Sequence, residues 1–435
     1  MIGSLNSVRT LLLAIFVLMA GSGFLSTLIA IRLEQGGQGA LVIGLAATSY
    51  FGGLTLGALR VSPLIARVGH IRSFGAMASL ASTSILVHVV FIDPWVWWAM
   101  RLVTGFAFAG LFVVAESWLN DAAENETRGQ LLSFYMLITL GGMAGGQFML
   151  NIASPSSYEL FVLISALVSI AVIPILLSVA KAPEFNTSES VSIFQLYQVS
   201  PLGVFGMLVN GVMMGAIFGM GAVYATAIGL SVPEVSLFMG SMVLGGAILQ
   251  FPLGRMSDIV GRRQVIIGAC AAGVAVAIFA TNFDYSGWIL YLVVALIGGF
   301  ATPLYALCVA HTNDHLSPSQ MVAASGTLVL AGSIGACLGA PITAIAMEQY
   351  GSQAFFYTIG ISMAVVCVFG LWRMTQRDAI SSEDTSDFVV LAPTPMSAVL
   401  NPEIELEEIV TANEVDAEAV QESFEELVND LANPE

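Results

Sequence analysis

The sequence predicts an all-α polytopic membrane protein of twelve transmembrane helices followed by an acidic, largely disordered C-terminal tail. Three observations carry that reading. Hydrophobic residues make up 57% of the 435 positions and charged residues 10%, with mean hydropathy +0.87, whereas soluble domains carry about 25% charged residues. Residues 10–372 divide into twelve apolar runs, each near the ~20 residues that cross a ~30 Å hydrocarbon core. The charge is also segregated: positions 378–435 hold 16 acids and no Lys or Arg, so of the net charge of −17 only −1 belongs to residues 1–377. The acidic pI therefore describes a tail, and a basic nucleic-acid-binding surface is excluded.

In chain order the runs are 10–31, 41–62, 74–91, 95–119, 131–152, 160–180, 201–228, 235–256, 264–280, 288–310, 321–347 and 354–372. Turn chemistry separates several of them: Glu34-Gln35-Gly36-Gly37, Asp93-Pro94, Ser154-Pro155-Ser156-Ser157 and Ser317-Pro318-Ser319. A transmembrane barrel would show ~10-residue alternating segments instead. Arg9 followed by Leu11–Ala20 has the outline of a secretory leader, but the apolar run continues to Ile31 and reads as the first span. The four cysteines are scattered through apolar runs, which argues against a disulfide framework.

Lys and Arg favour cytoplasmic loops. With the N-terminus inside, Arg9, Arg67, Arg72, Arg128, Lys181, Arg255, Arg262, Arg263, Arg373 and Arg377 fall on the inner side and Arg32 alone on the outer side. Both termini are expected in the cytoplasm, and the expected location is a bacterial inner (plasma) membrane.

The stretch Lys181–Ser200 is the longest interruption before the tail. It divides the chain into an N-terminal six-helix bundle (1–180), a cytoplasmic linker (181–200), a C-terminal six-helix bundle (201–377) and the tail (378–435). The halves share a motif. Gly254-Arg255-Met256-Ser257-Asp258-Ile259-Val260-Gly261-Arg262-Arg263 follows span 8, and Ala66-Arg67-Val68-Gly69-His70-Ile71-Arg72 follows span 2. Gly69 and Gly261 each suit a tight turn, and the flanking bases suit an anionic lipid surface. Repeated halves around a midplane cavity are a common build of secondary transporters.

With these motifs the chain resembles the major facilitator superfamily over residues 10–374. Gly254–Arg263 looks like that family's motif between spans 8 and 9, and Ala66–Arg72 a degraded copy in which Ala66 replaces the usual Asp. Arg101-Leu102-Val103-Thr104-Gly105 resembles its fourth-span motif, while the Gly-Pro motif of drug/proton antiporters is not met. Ser49–Gly52, Val113–Ser117 and Arg128-Gly129 look like a bacterial inner-membrane group of unassigned substrate. The resemblance implies two six-helix pseudo-repeats in the major facilitator fold and transport by alternating access. It also makes Arg67, Gly69, Arg72, Gly254, Asp258, Gly261, Arg262, Arg263, His311 and Asp314 candidates for the cytoplasmic gate.

Ionisable groups inside a span cost at least ~2.5–3.5 kcal/mol, which makes each a functional candidate. Arg101 reads as a fixed cation lining the cavity, for an anionic substrate or for proton coupling. Glu116 reads as a gate partner of Arg67 or Arg72, or as a proton or substrate site. The two lie fifteen residues apart, ~22 Å along a helix, too far to pair. Tyr50, Asn210, Tyr224 and Tyr305 are polar handles that either line the cavity or bond a neighbouring helix. His311, Asp314 and His315 share a helix face and read as partners of Arg262 or Arg263, with a metal site as the sharper alternative. His88 reads as a packing residue, with proton coupling as the alternative. Met213, Met214, Met220, Met239 and Met242 are gap-fillers or, in a copper importer, soft ligands.

The expected function is secondary active transport of a small organic solute, anionic or amphipathic, with the proton as coupling ion, by a monomer in the lipid bilayer. The sequence has no phosphate-binding loop, nucleophile set or paired catalytic carboxylates, so neither enzymatic activity nor a cofactor is expected. The alternative is a transporter-like scaffold or assembly factor that recruits a protein partner through its acidic tail, where Val420, Phe424, Leu427, Val428 and Leu431 fall on one helical face.

Overall fold

The computed structural model describes residues 2–121, 128–176, 191–282, 287–376 and the single positions 388 and 426, apart from the side chains of residues 2–8, 120–121, 128–130, 318–319 and 322. Most of the linker and tail, with the amphipathic face at 420–431, therefore lies outside the described residues. Apolar surroundings leave backbone groups no partner but the chain itself, and the described residues fold into helices without a strand.

Among the described residues, twelve helices are long and apolar enough to cross a membrane. Spans 1–6 are Arg9–Gln35, Ala40–Val68, His70–Val90, Pro94–Leu119, Leu131–Met149 and Glu159–Leu176; spans 7–12 are Pro201–Ala227, Val232–Val260, Arg262–Asn282, Trp288–Asn313, Ala323–Tyr350 and Ala354–Met374. Local chemistry sets their ends. The Asp93 carboxylate accepts from the Trp95 amide at 2.9 Å and starts span 4. Ser231 and Glu234 form a capping box at the start of span 8, as do Ser317 and Gln320 before span 11. Gly69 and Gly261, the paired motif glycines, turn the chain at φ 86° and 105°, where a side chain would be strained. The segment before span 7 differs from the expected loop: Ile193–Val199 is a short helix capped by Ser192.

Packing repeats with a period of six spans. Span 1 packs on span 5, span 2 on span 4 and span 3 on span 6; likewise span 7 packs on span 11, span 8 on span 10 and span 9 on span 12. The two bundles meet through span 2 against span 11 and span 5 against span 8, pairs that exchange under the same six-span shift.

Charge distinguishes the two ends of the assembly. Arg67, Arg72, Arg255, Arg262, Arg263 and Arg373 mark a basic end; Glu34, Asp93, Glu234 and Glu348 mark an acidic one. At the acidic end the bundles are bonded together. The Thr226 hydroxyl donates to Glu34, the Leu41 amide to Glu348 at 3.1 Å and the Thr48 hydroxyl to the Cys337 carbonyl at 2.8 Å. Beside them Gly44 lies against Ala340 and Ala344 of span 11, and Gly240 of span 8 against Phe148 of span 5.

Two spans are broken, which the continuous apolar runs had not indicated. Span 1 is interrupted at Phe24, between Ile2–Gly23 and Leu25–Gln35. Span 10 is interrupted at Thr302-Pro303, between Trp288–Ala301 and Leu304–Asn313. Each break is bridged by an amide from another span of its own bundle: Gln147 donates to the Gly23 carbonyl and Asn210 to the Ala301 carbonyl at 2.8 Å. Buried carbonyls freed from a helix ladder need such partners.

Candidate functional site

A cavity of about 300 Å³ lies between the bundles. Its lining comes from spans 1, 2, 4 and 5 of one bundle and spans 7, 8, 10 and 11 of the other. Both broken spans take part, through Gly23, Leu25, Ser26 and Thr27 and through Thr302 and Tyr305. The walls are largely apolar, and seven methionines line them: Met19, Met136, Met143, Met207, Met214, Met239 and Met242.

Among the described lining residues, Arg101 is the one Lys, Arg, Asp or Glu. It is 2% exposed. One guanidinium nitrogen donates to the Ser26 hydroxyl at 2.8 Å, and the guanidinium carbon stands 4.3 Å from the centre of the Tyr50 ring, within cation–π range. Its Nε, also buried, has no hydrogen-bond partner, and neither ion pair found among the described residues involves it. A buried cation with an open donor edge, facing a cavity, is a site that an anion can complete.

The other candidates separate. Tyr50, Asn210 and Tyr305 line the cavity with Arg101, and Asn210 also bonds the neighbouring helix. Tyr224 sits away from it, packed among Phe238, Phe355 and Phe356 at ring separations of 5.7, 5.1 and 4.9 Å. Glu116 is fully buried behind the wall and accepts from the Tyr135 hydroxyl at 2.8 Å; Tyr135 itself lines the cavity. Arg67 and Arg72 are exposed. His88 is wedged between Trp97 and Phe161. Sequence reasoning missed Ser26, Gln250 and Tyr135; their polar groups in apolar runs were the available signal.

At the basic end Arg262 holds two carboxylates. It donates to Asp258 at 2.9 Å and to Asp314 at 3.0 Å, and bonds the Ser257 hydroxyl at 3.1 Å. Asp314, just beyond span 10, has its carboxyl raised from 3.8 to about 6 because burial outweighs the pull of Arg262. The His311 and His315 rings lie edge to face 5.0 Å apart. Among the described residues no three His, Cys, Asp or Glu side chains are grouped to hold a metal. The tail reaches this region too, since Phe388 packs against span 8 at Gly254.

Comparison with known proteins agrees with this architecture. The family profile described as Major Facilitator Superfamily matches residues 11–201 and 203–404. The uncharacterized MFS-type transporter YcaD of Escherichia fergusonii is 27% identical over 358 residues, covering 81% of this chain and 92% of its own. The similarly described YE1530 of Yersinia enterocolitica is 26% identical over 368 residues, covering 84% and 95%. In fold, the chain is similar to the nucleoside transporter NupG (TM-score 0.71, 14% identity, 86% of this chain and 99% of that one). It is also similar to the human organic anion transporter MFSD10 (TM-score 0.60, 15% identity, 83% and 98%). The family match extends from the first span to beyond the twelfth, and the chain belongs to the Major Facilitator Superfamily of membrane transporters.

Proposed function

We propose that the chain is a secondary active transporter of the bacterial inner membrane that moves a small organic anion with an apolar body by alternating access, coupled to protons. The observation that carries this reading is Arg101, a buried guanidinium with an unfilled Nε in an otherwise uncharged, largely apolar cavity. A ligand with one acidic group satisfies the cation, and its apolar remainder replaces water along the methionine and aromatic walls. The same cation repels a bare metal ion, which weighs against copper as cargo despite the thioethers. We place the termini in the cytoplasm, on the ten-to-one distribution of flanking bases.

Alternating access is supported by the symmetry of the contacts. Closure at the acidic end uses spans 2 and 5 against 11 and 8, and these spans run on to the basic end, where the same pairs can close after the bundles rock. In this scheme 1–180 and 201–377 are the moving bodies and 181–200 joins them. Glu116 is the proposed proton carrier, since its carboxylate is linked to the cavity through the Tyr135 hydroxyl. The test is uptake into proteoliposomes, with 4-phenylbutyrate as probe and 4-phenylbutyramide as its neutral counterpart. Beyond its level in protein-free liposomes under the same gradient, the acid should accumulate when a proton gradient is imposed and the amide should not. Glu116→Gln should retain exchange of the acid across the bilayer and lose gradient-driven accumulation. Equal handling of acid and amide by the wild type would overturn the anion reading.

A further inference from the structure

Phe388 lies in the acidic tail, fourteen residues beyond the end of span 12 at Met374, yet it is seated on span 8. The three atoms nearest to a Cβ built on Gly254 all belong to its ring, and that Cβ would collide with them. Its amide donates to the Asp258 carboxylate at 2.9 Å, through the oxygen that also accepts from Arg262. The ring is partly buried and packs against the apolar core. Gly254 and Asp258 are four residues apart, so ring and amide engage one face of the helix.

That face has another use. Near the acidic end span 5 packs on span 8 at Gly240, with the Phe148 ring 3.6 Å and the Ala144 carbonyl 3.8 Å from a Cβ placed there. Gly254 is fourteen residues further along span 8. At 100° and 1.5 Å per residue it lies ~21 Å nearer the basic end and only ~40° around from Gly240. Gln250, one turn before it, lines the cavity. Phe388 therefore sits on the continuation of the span 5 docking stripe, beside the cavity wall, at the end of the molecule where the bundles must approach when the acidic end opens.

We infer that Phe388 is an intramolecular wedge: the acidic tail inserts it at Gly254 of span 8, where it competes with span 5 and holds the basic-end gate from closing. The inference rests on the alternating-access reading above and adds a regulatory role for the tail. The fit is specific. Glycine leaves room for the ring at position 254, and Asp258 offers an acceptor one turn further on. The sequence around it carries acids and no Lys or Arg, and Gly254 is followed by Arg255 at the basic end. Release of the tail frees the stripe for span 5 and lets the transport cycle proceed.

The experiment measures the gate directly, first without substrate and then with 4-phenylbutyrate. Spin labels at Val68 and Val260, the exposed residues immediately before the paired turn glycines of spans 2 and 8, report the separation of the bundles at the basic end. The full-length chain, with its four native cysteines replaced by alanine, is compared with Phe388→Ala, Phe388→Leu and a chain ending at Arg377. Phe388→Ala and the truncated chain should gain a short-distance population, with Phe388→Leu in between. Initial uptake of 4-phenylbutyrate should rise about tenfold in Phe388→Ala, the ratio set by ~1.4 kcal/mol of lost wedge contact. Identical distance distributions in all four proteins would overturn the wedge, as would a longer distance in Phe388→Ala, which would make the residue a clasp that closes the gate. A short-distance population induced by 4-phenylbutyrate in the wild type but unaffected by Phe388→Ala would leave alternating access standing and remove the wedge alone.

Discussion

Two arginines in this protein are almost equally buried, Arg101 at 2% exposure and Arg262 at 3%, and their surroundings are opposite. Arg262 is enclosed by Asp258, Asp314 and the Ser257 hydroxyl. Arg101 has one hydroxyl, the face of Tyr50 and an empty donor edge. A buried charge satisfied by the chain is part of the architecture. A buried charge left incomplete by the chain is a place for something else. We read the contrast as a structural charge cluster, a latch, against a proposed binding site, and that reading can be attacked from both sides.

The largest effect expected is on stability at Arg262. Arg262→Gln leaves Asp258 and Asp314 facing each other without their cation, and breaking a buried pair costs about 3–5 kcal/mol. Thermal unfolding in detergent should show the loss directly. Arg101→Met should behave in the opposite way, because no carboxylate is stranded and an apolar side chain of similar length fills the space. Its thermal stability should equal or exceed that of the wild type, while 4-phenylbutyrate affinity falls by about 2–5 kcal/mol, the usual cost of removing one partner of a desolvated charge pair. A stability loss in Arg101→Met as large as that in Arg262→Gln would erase the distinction.

The pH dependence sharpens the latch side. The Asp314 carboxyl is raised from 3.8 to about 6, so between those values the folded protein keeps a proton that the unfolded chain has lost. Stability therefore falls as pH rises through that window, by on the order of 2–3 kcal/mol from this group. Asp314→Asn should flatten the curve there, whereas Arg101→Met should leave its slope unchanged. A smaller effect is expected at Tyr50. Tyr50→Leu removes the ring beneath the guanidinium and should weaken anion binding by about 0.5–2 kcal/mol, with Tyr50→Phe close to wild type. The smallest is at Tyr224, where Tyr224→Phe should leave anion affinity and uptake unchanged because the ring packs away from the cavity.

Much of this was legible in the sequence for physical reasons. Hydrocarbon thickness fixes span length, so the run read as 201–228 is the helix Pro201–Ala227 and the run read as 354–372 is Ala354–Met374. Arg101 stood out because a charge in an apolar run is expensive. What could not be read was which way each helix faces. These spans are apolar nearly all round, so periodicity does not separate wall from core, and Tyr224 and Tyr305 looked alike. The break in span 10 had a signal in Pro303, which lacks the amide that a helix ladder needs. The break at Phe24 had none stronger than the glycines beside it. Phe388 was hidden by its context, since the apolar run Phe388-Val389-Val390-Leu391 lies in a segment whose acids read as a solvated tail.

The methionines around the cavity have a consequence for how cargo is chosen. Unbranched thioether chains turn about three bonds and yield to whatever presses on them, so a wall with seven of them imposes no rigid outline on a guest. A rigid pocket discriminates by silhouette; on the anion reading proposed above, this one would discriminate by sign. One fixed cation reads the charge of what enters, and a pliant wall accepts many shapes behind it. On that reading the carrier is a coarse sieve, suited to clearing or gathering a family of acids that share a headgroup and differ in everything else.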